Sequence, residues 1–172
     1  MFQSSPRLSA FDREVLPHLV AAYNLARVLM RNDHDAEDVV QEASLRAFRF
    51  FDNFRGGNSR AWFLQIVRNT SFSVLKKNRP AEMNVPFDEE LHGTQTPVME
   101  PGISIDRAQD RQTIRAAIEQ LAPEFGEAIT LRELEGASYK EIADIVGVPI
   151  GTVMSRLARA RHQLQTILSK SK

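Results

Sequence analysis

The sequence predicts an all-α protein made of two small helical domains joined by a flexible linker. Three observations carry that prediction. Apolar residues recur at spacings of three and four along most of the chain, and no alternating strand pattern of useful length occurs. Residues 81 to about 104 hold Pro86, Gly93, Pro97, Pro101 and Gly102, an excess of acid and no lasting periodicity, which marks a linker. The stretch Gly136 to Leu164, GASYKEIADIVGVPIGTVMSRLARARHQL, has the pattern of a helix-turn-helix. The expected organisation is a first domain over 1–80, an acidic Pro/Gly-containing linker over 81–104 and a second domain over 105–172.

In the first domain, Ser9 with Asp12 three residues later predicts a helix start, and Leu16, Leu19, Val20, Tyr23, Ala26 and Met30 continue an apolar stripe. Pro17 falls inside that stripe and predicts a kink or a restart, because proline lacks the N–H that a helix interior needs. Asn32, Asp33 and Asp35 form the next break and offer N-caps. A second helix is expected from about Ala36 to Phe51, with Val40, Ala43, Ala47, Phe50 and Phe51 toward a core. Asp38, Gln41 and Glu42 lie at i, i+3 and i+4 and make one polar face; the pattern alone also fits a plainly solvated surface. Asp33, His34 and Asp35 do not predict a metal site, since adjacent side chains at a helix start rarely converge on one ion.

FDNFRGGNSR reads as a loop, with Asn58 or Ser59 capping the third long helix. There Phe63, Ile66, Val67, Thr70 and Val74 line one side, and Trp62, Gln65, Asn69, Ser73 and Lys76 line another. An aromatic ring, amides and cations on one face can stack on bases, hydrogen-bond to them and neutralise phosphates. The same stripe is also compatible with a core-facing tryptophan. Helical spacing returns from Ile105 with Ile114, Ala117, Ile118 and Leu121, and Pro123 opens a further helix that Gly136 closes.

In the helix-turn-helix, Ser138 and Glu141 have the spacing of a capping box. Gly147 stands at the turn, where positive φ is favoured, and Pro149 suits the start of the second helix. Val153, Leu157, Ala160, Leu164 and Leu168 give that helix an apolar stripe. Arg156, Arg159 and Gln163 fall on another face. Small residues at its start, Gly151, Thr152 and Ser155, would let the N-terminus approach phosphates closely. A helix packed on one side and cationic on the other can lie in a major groove.

Charge and composition bound the remaining options. The 172 residues carry 22 Lys and Arg against 22 Asp and Glu, a net charge of zero. The balance hides a basic stretch over 60–79, an acidic one over 81–110 and a C-terminal segment with no acid after Asp144. There is no cysteine, so disulfides and thiol sensing within the chain are excluded. No apolar run is long enough to span a membrane and no signal-peptide core opens the sequence, which points to a cytoplasmic protein without membrane insertion. No nucleophile–base pair, phosphate loop or metal set points to an enzyme or to a cofactor.

Three segments in order resemble the bacterial sigma-70 family, in its extracytoplasmic-function (ECF, group 4) type. DAEDVVQEASLRAFRFFDNFRG is similar to the region 2.2 segment that docks on core RNA polymerase. SRAWFLQIVRNTSFSVLKKNR is similar to regions 2.3 and 2.4, which open and read the −10 element, and ITLRELEGASYKEIADIVGVPIGTVMSRLARAR to region 4, which reads the −35 element. The resemblance implies polymerase binding by Asp38, Gln41, Glu42 and Arg46. It implies −10 contacts from Trp62, Arg68, Asn69, Ser73, Lys76 and Arg79, with Asn69 near a pocket for a flipped base. It implies −35 contacts from Gly151, Thr152, Met154, Ser155, Arg156 and Arg159, with Ala158 beside them. Met154 and Ala158 are apolar where related proteins often carry longer polar or aromatic groups, which shifts readout toward backbone contacts and DNA shape. The implied partners are core RNA polymerase, promoter DNA and an anti-sigma factor. The rival reading is an autonomous helix-turn-helix repressor or activator, which would need a dimerisation element that the sequence does not display.

Overall fold

The computed structural model describes residues 5–78 and 108–171. The linker of the sequence reading and Arg79 lie outside the described residues, as do Ile105 and its neighbours at the expected start of the second domain. Every regular element among the described residues is helical.

The first helix, α1, spans Pro6–Val15 and starts earlier than Ser9 predicts. Ser5 is its N-cap, accepting from the Leu8 N–H at 3.3 Å, and Pro6 takes the first turn, where its missing N–H costs nothing. Pro17 acts as predicted: Leu16–His18 form a 3-10 turn, and α2 restarts over Leu19–Met30. That helix is apolar on most sides and buries Ala22, Leu25, Ala26 and Leu29 completely or nearly so, which makes it the central post of the domain. Asn32 caps α3, Asp33–Arg49, through its side-chain oxygen and the Asp35 N–H at 2.9 Å. Asn58 caps α4, Ser59–Lys77, by accepting from the Ala61 N–H at 3.0 Å.

The helices α2, α3 and α4 pack on one another, and α1 lies against α4. Val39, Ala43 and Ala47 of α3 and Phe63, Leu64 and Val67 of α4 meet in the core. Two hydroxyls on the buried face of α4 are satisfied by their own helix: Thr70 Oγ1 donates to the Ile66 carbonyl at 2.7 Å and Ser71 Oγ to that of Val67 at 2.9 Å. Phe50 departs from the core position expected for it and is 50% exposed. The reason is local: α3 ends at Arg49, and the chain turns into a 3-10 turn over Phe51–Asn53, which breaks the stripe before Phe50 reaches the core.

In the second domain α5 covers Ala108–Ile118 and α6 covers Pro123–Ile129, running on through a π turn over Thr130–Leu134. The helix-turn-helix follows as α7, Tyr139–Val146, and α8, Ile150–Lys170. Ser138 Oγ accepts from the Glu141 N–H at 3.1 Å. Gly136 and Gly147 have φ of 65° and 75°, in the left-handed region that frees the chain to turn. Pro149 is the residue immediately before α8. Val153, Leu157, Ala160 and Leu164 are buried against α6 and α7, as the stripe predicts.

The domains also pack on each other, α2 against α6 and α4 against α7. Gly126 is what lets the first pair approach. A Cβ built there would stand 3.1 Å from Val28 Cγ2 of the opposite domain.

Candidate nucleic-acid interface

Three surfaces collect the residues singled out by sequence. The first is on α3. Asp33 and Asp35 sit in its first turn, where carboxylates favour the helix dipole, and Ala36, Val39, Ala43 and Ala47 turn inward. Asp38, Gln41 and Glu42 are exposed on one face, with the exposed Leu45 one turn further along it. Arg46 continues that face one turn on, with Nε 3.0 Å from Glu42 Oε1. His34 Nε2 lies 3.8 Å from Asp38 Oδ2 at i, i+4. The face therefore presents carboxylates on a rigid helix whose back is locked in the core.

The second surface is on the C-terminal half of α4. Arg68, Asn69, Ser73 and Lys76 line an open depression of about 410 Å³ together with Phe72. Ser73 Oγ is turned back to the Asn69 carbonyl at 2.9 Å, while the Asn69 side chain is exposed. Phe72 is the residue that the sequence reading missed. It sits one position off the polar stripe, and its ring carries the Arg68 guanidinium at 4.6 Å. A concave site with an amide, an aromatic face and two cations has the equipment to hold an unstacked base.

Trp62 is not in this depression. Its ring is half-buried against Phe54 at 5.1 Å and Phe51 at 6.3 Å, so it fastens the loop before α4 onto the end of α3. The sequence left core and base-facing placements of this tryptophan open; the geometry is the packed one.

The third surface is the start of α8. Gly151 and Met154 are exposed, and Thr152, Ser155, Ala158 and Arg159 are half-buried. Ser155 Oγ donates to the Gly151 carbonyl at 3.0 Å, so its hydroxyl is turned along the helix. Arg156 corrects the sequence reading. It was expected on an open face with Arg159, yet it is 5% exposed and its Nη1 stands 3.9 Å from Glu127 Oε1. The cause is the packing of α8 on α6: position 156 borders the apolar stripe of Val153 and Leu157, and the fully buried Glu127 on α6 draws the guanidinium inward. Burial pushes the Glu127 carboxyl above its ordinary value, against the opposing pull of Arg68 and Arg156.

Arg68 is held by the same carboxylate. Its Nε donates to Glu127 Oε2 at 2.8 Å and its Nη2 to Oε1 at 3.1 Å, a bidentate pair across the two domains. So two of the cations expected on DNA are, in this arrangement, on one glutamate. No helix of the described residues is long and apolar enough to cross a membrane.

These features define a class: a two-domain helical protein with a helix-turn-helix in one domain and a concave, cationic, aromatic-bearing helix face in the other. Comparison with known proteins narrows the class. Residues 15–80 match the family model Sigma-70 region 2, and residues 111–164 match Sigma-70, region 4. The ECF RNA polymerase sigma factor SigE of Mycolicibacterium smegmatis is 34% identical over 164 residues, covering 95% of this chain, which spans 63% of that relative's length. The RNA polymerase sigma-H factor of Pseudomonas aeruginosa is 34% identical over 167 residues, with 92% of this chain and 86% of the relative covered. The sigma factor RpoE of Bartonella quintana, solved in complex with the anti-sigma factor NepR, superposes with a TM-score of 0.73 at 32% identity, covering 95% of this chain and 99% of that one. The chain belongs to the sigma-70 family, in its ECF type.

Proposed function

We propose that this protein is a transcription initiation factor that binds core RNA polymerase and directs it to promoters through −35 and −10 elements. The observation that carries the proposal is the pairing of the two domains in one chain. A helix-turn-helix alone would serve any DNA-binding regulator. A helix-turn-helix coupled to a domain with both an exposed acidic helix face and a base-sized cationic depression serves a factor that bridges polymerase and melted DNA.

The roles follow from the chemistry of each surface. Asp38, Gln41 and Glu42, with Arg46, dock on a basic, helical surface of the polymerase. Asn69, Phe72, Ser73 and Lys76 receive an extruded non-template base, Arg68 and Arg79 hold phosphates, and Trp62 supports the site by fixing the preceding loop. Gly151, Thr152, Met154, Ser155 and Arg159 meet the −35 duplex, and Arg156 holds α8 at the angle that presents them. The protein supplies no chemistry of its own; phosphodiester formation belongs to the polymerase, and the work is done in the cytoplasm. An anti-sigma factor is the proposed regulator, by likeness to the RpoE–NepR pair.

The experiment is binding of purified core polymerase to the chain, followed by fluorescence anisotropy of a labelled chain. Saturable binding that is lost at high salt supports the proposal. A discrete operator shifted by the chain alone, with no binding to core polymerase, would instead establish the autonomous repressor or activator.

A further inference from the structure

Apolar side chains stand at the start of α8, where the second helix of a helix-turn-helix reads bases. Ile150 opens the helix, and Met154 follows four residues on, on the same face. They are 46% and 38% exposed. Ala158, half-buried, continues the line one turn further. The buried stripe of Val153, Leu157, Ala160 and Leu164 already supplies the packing of α8 on α6 and α7, so Ile150 and Met154 are not needed for it.

Isolated apolar side chains on a surface are ordinary, so the placement of these two decides their meaning. In a helix-turn-helix the N-terminal residues of the second helix are the ones that reach base edges. Three hydrogen-bonding side chains along this half of α8 are instead directed into the chain. Ser155 Oγ donates to the Gly151 carbonyl at 3.0 Å, Arg156 is buried beside Glu127, and Arg161 Nη2 donates to Glu133 Oε1 at 3.0 Å. Gly151, next to Ile150, has open space where a Cβ would stand. Packing within the chain therefore does not demand a glycine there, and its bare backbone permits a close approach from outside. The surface that α8 offers to a groove is apolar at its centre.

In the major groove, the apolar group that a base edge presents is the C5-methyl of thymine; cytosine lacks it and carries an amino donor instead. Methylation at C5 gives cytosine the same group. Four residues of helix rise by about 6 Å, close to two base-pair steps of about 3.4 Å, so the two side chains reach neighbouring pairs. Isoleucine is stiff at its branched carbon, whereas the thioether of methionine adapts to the shape it meets.

We infer that Ile150 and Met154 read pyrimidine C5-methyl groups in the major groove of the −35 duplex. The inference rests on the sigma-factor reading and deepens it: the −35 element is selected in part by methyl contact, and Met154 sets the preference at its centre. Burying one methyl is worth about a fourfold change in affinity.

The test begins with the −35 sequence that core polymerase and the full chain enrich from a promoter library. Absence of any enriched −35 sequence discards the sigma-factor reading and takes this inference with it. With a sequence in hand, each −35 thymine on either strand is replaced in turn by deoxyuridine, which removes the methyl and keeps every hydrogen-bonding group. Anisotropy of labelled duplex then gives the affinity of the polymerase–chain complex. Wild type is expected to bind about fourfold more weakly where a contacted methyl is lost. Met154→Ala and Ile150→Ala should each abolish that discrimination at its own position and leave it elsewhere, while Met154→Leu should keep it. Both residues are exposed, so the variants are expected to fold. A parallel set carries 5-methylcytosine at each −35 cytosine. A response at thymine assigns thymine as the source of the methyl; tighter binding to 5-methylcytosine alone assigns the methylated base. An enriched −35 element whose thymines tolerate deoxyuridine and whose cytosines ignore methylation would overturn the inference and leave the sigma-factor reading standing. So would a methyl response that persists in full when Ile150 and Met154 are both alanine.

Discussion

Arg68 and Glu127 sit 59 positions apart, one in each domain, and form a two-point ion pair with the glutamate fully buried. Taking a carboxylate out of water is unfavourable, and burial indeed pushes its proton affinity up; Arg68 and Arg156 offset part of that cost. Glu127→Ala removes the carboxylate that both face, while Arg156 stays buried. The expected loss is about 3–5 kcal/mol, read as a drop in the urea midpoint of the full chain. Arg68→Ala should cost less, because Arg156 still faces Glu127.

Reversing charge on the exposed face of α3 should separate binding from folding. Asp38→Arg is a surface change and is expected to shift stability by no more than about 0.5 kcal/mol. Core polymerase binding should nevertheless be abolished in an anisotropy titration. Equal loss of helical signal and of binding would mean that Asp38 is structural.

The depression on α4 predicts a different defect. Phe72→Ala removes an aromatic face worth about 1–3 kcal/mol in base stacking, and Asn69→Ala removes an exposed amide. Both variants should bind polymerase normally and form heparin-resistant open complexes poorly. Pre-melted promoter templates should rescue them only in part, since the base still needs its pocket.

The helix-turn-helix is anchored by Ser138, whose hydroxyl accepts from the Glu141 N–H. Ser138→Ala should lower the stability of the chain by about 1 kcal/mol, and Ser138→Asp should restore it. Thermal melts followed by circular dichroism would measure both.

His18 gives the chain an expected pH dependence. Burial, then the nearby Arg60, lower its pKa below 6.5, with Glu14 and Glu141 pulling the other way. The unfolded chain therefore takes up this proton first as pH falls, so stability declines from about pH 6.5 downward until the folded form is protonated too. Above that window His18 contributes nothing to the slope. Urea midpoints should fall as the pH drops below about 6.5, and His18→Gln should flatten the decline.

Most of the fold was readable because it rests on local rules. Pro17, Asn32, Asn58, Ser138 and Gly147 stand at helix ends for reasons of backbone chemistry, and the stripe of α8 marks the side that packs on α6 and α7. The first helix was misplaced because Ser9 and Ser5 offer the same cap, and Pro6 was the discriminating signal. The site was less readable wherever tertiary contacts decide. Nothing in the spacing of Arg156 distinguishes it from Arg159, since only the position of Glu127 on another helix pulls one of them inward. Phe72 escaped notice because it lies between the polar and apolar stripes of α4. The packing of the two domains on each other was out of reach altogether, being built from single residues on helices far apart in the chain.

The central claim is that this chain confers promoter selection on core polymerase. The most direct measurement is run-off transcription from a promoter library, with core polymerase alone, the chain alone and both together. Discrete transcripts only with both, from templates enriched in one −35 and one −10 sequence at fixed spacing, are the predicted result. Transcripts identical with and without the chain, in a reaction where core polymerase is shown to elongate on a tailed template, would contradict the account.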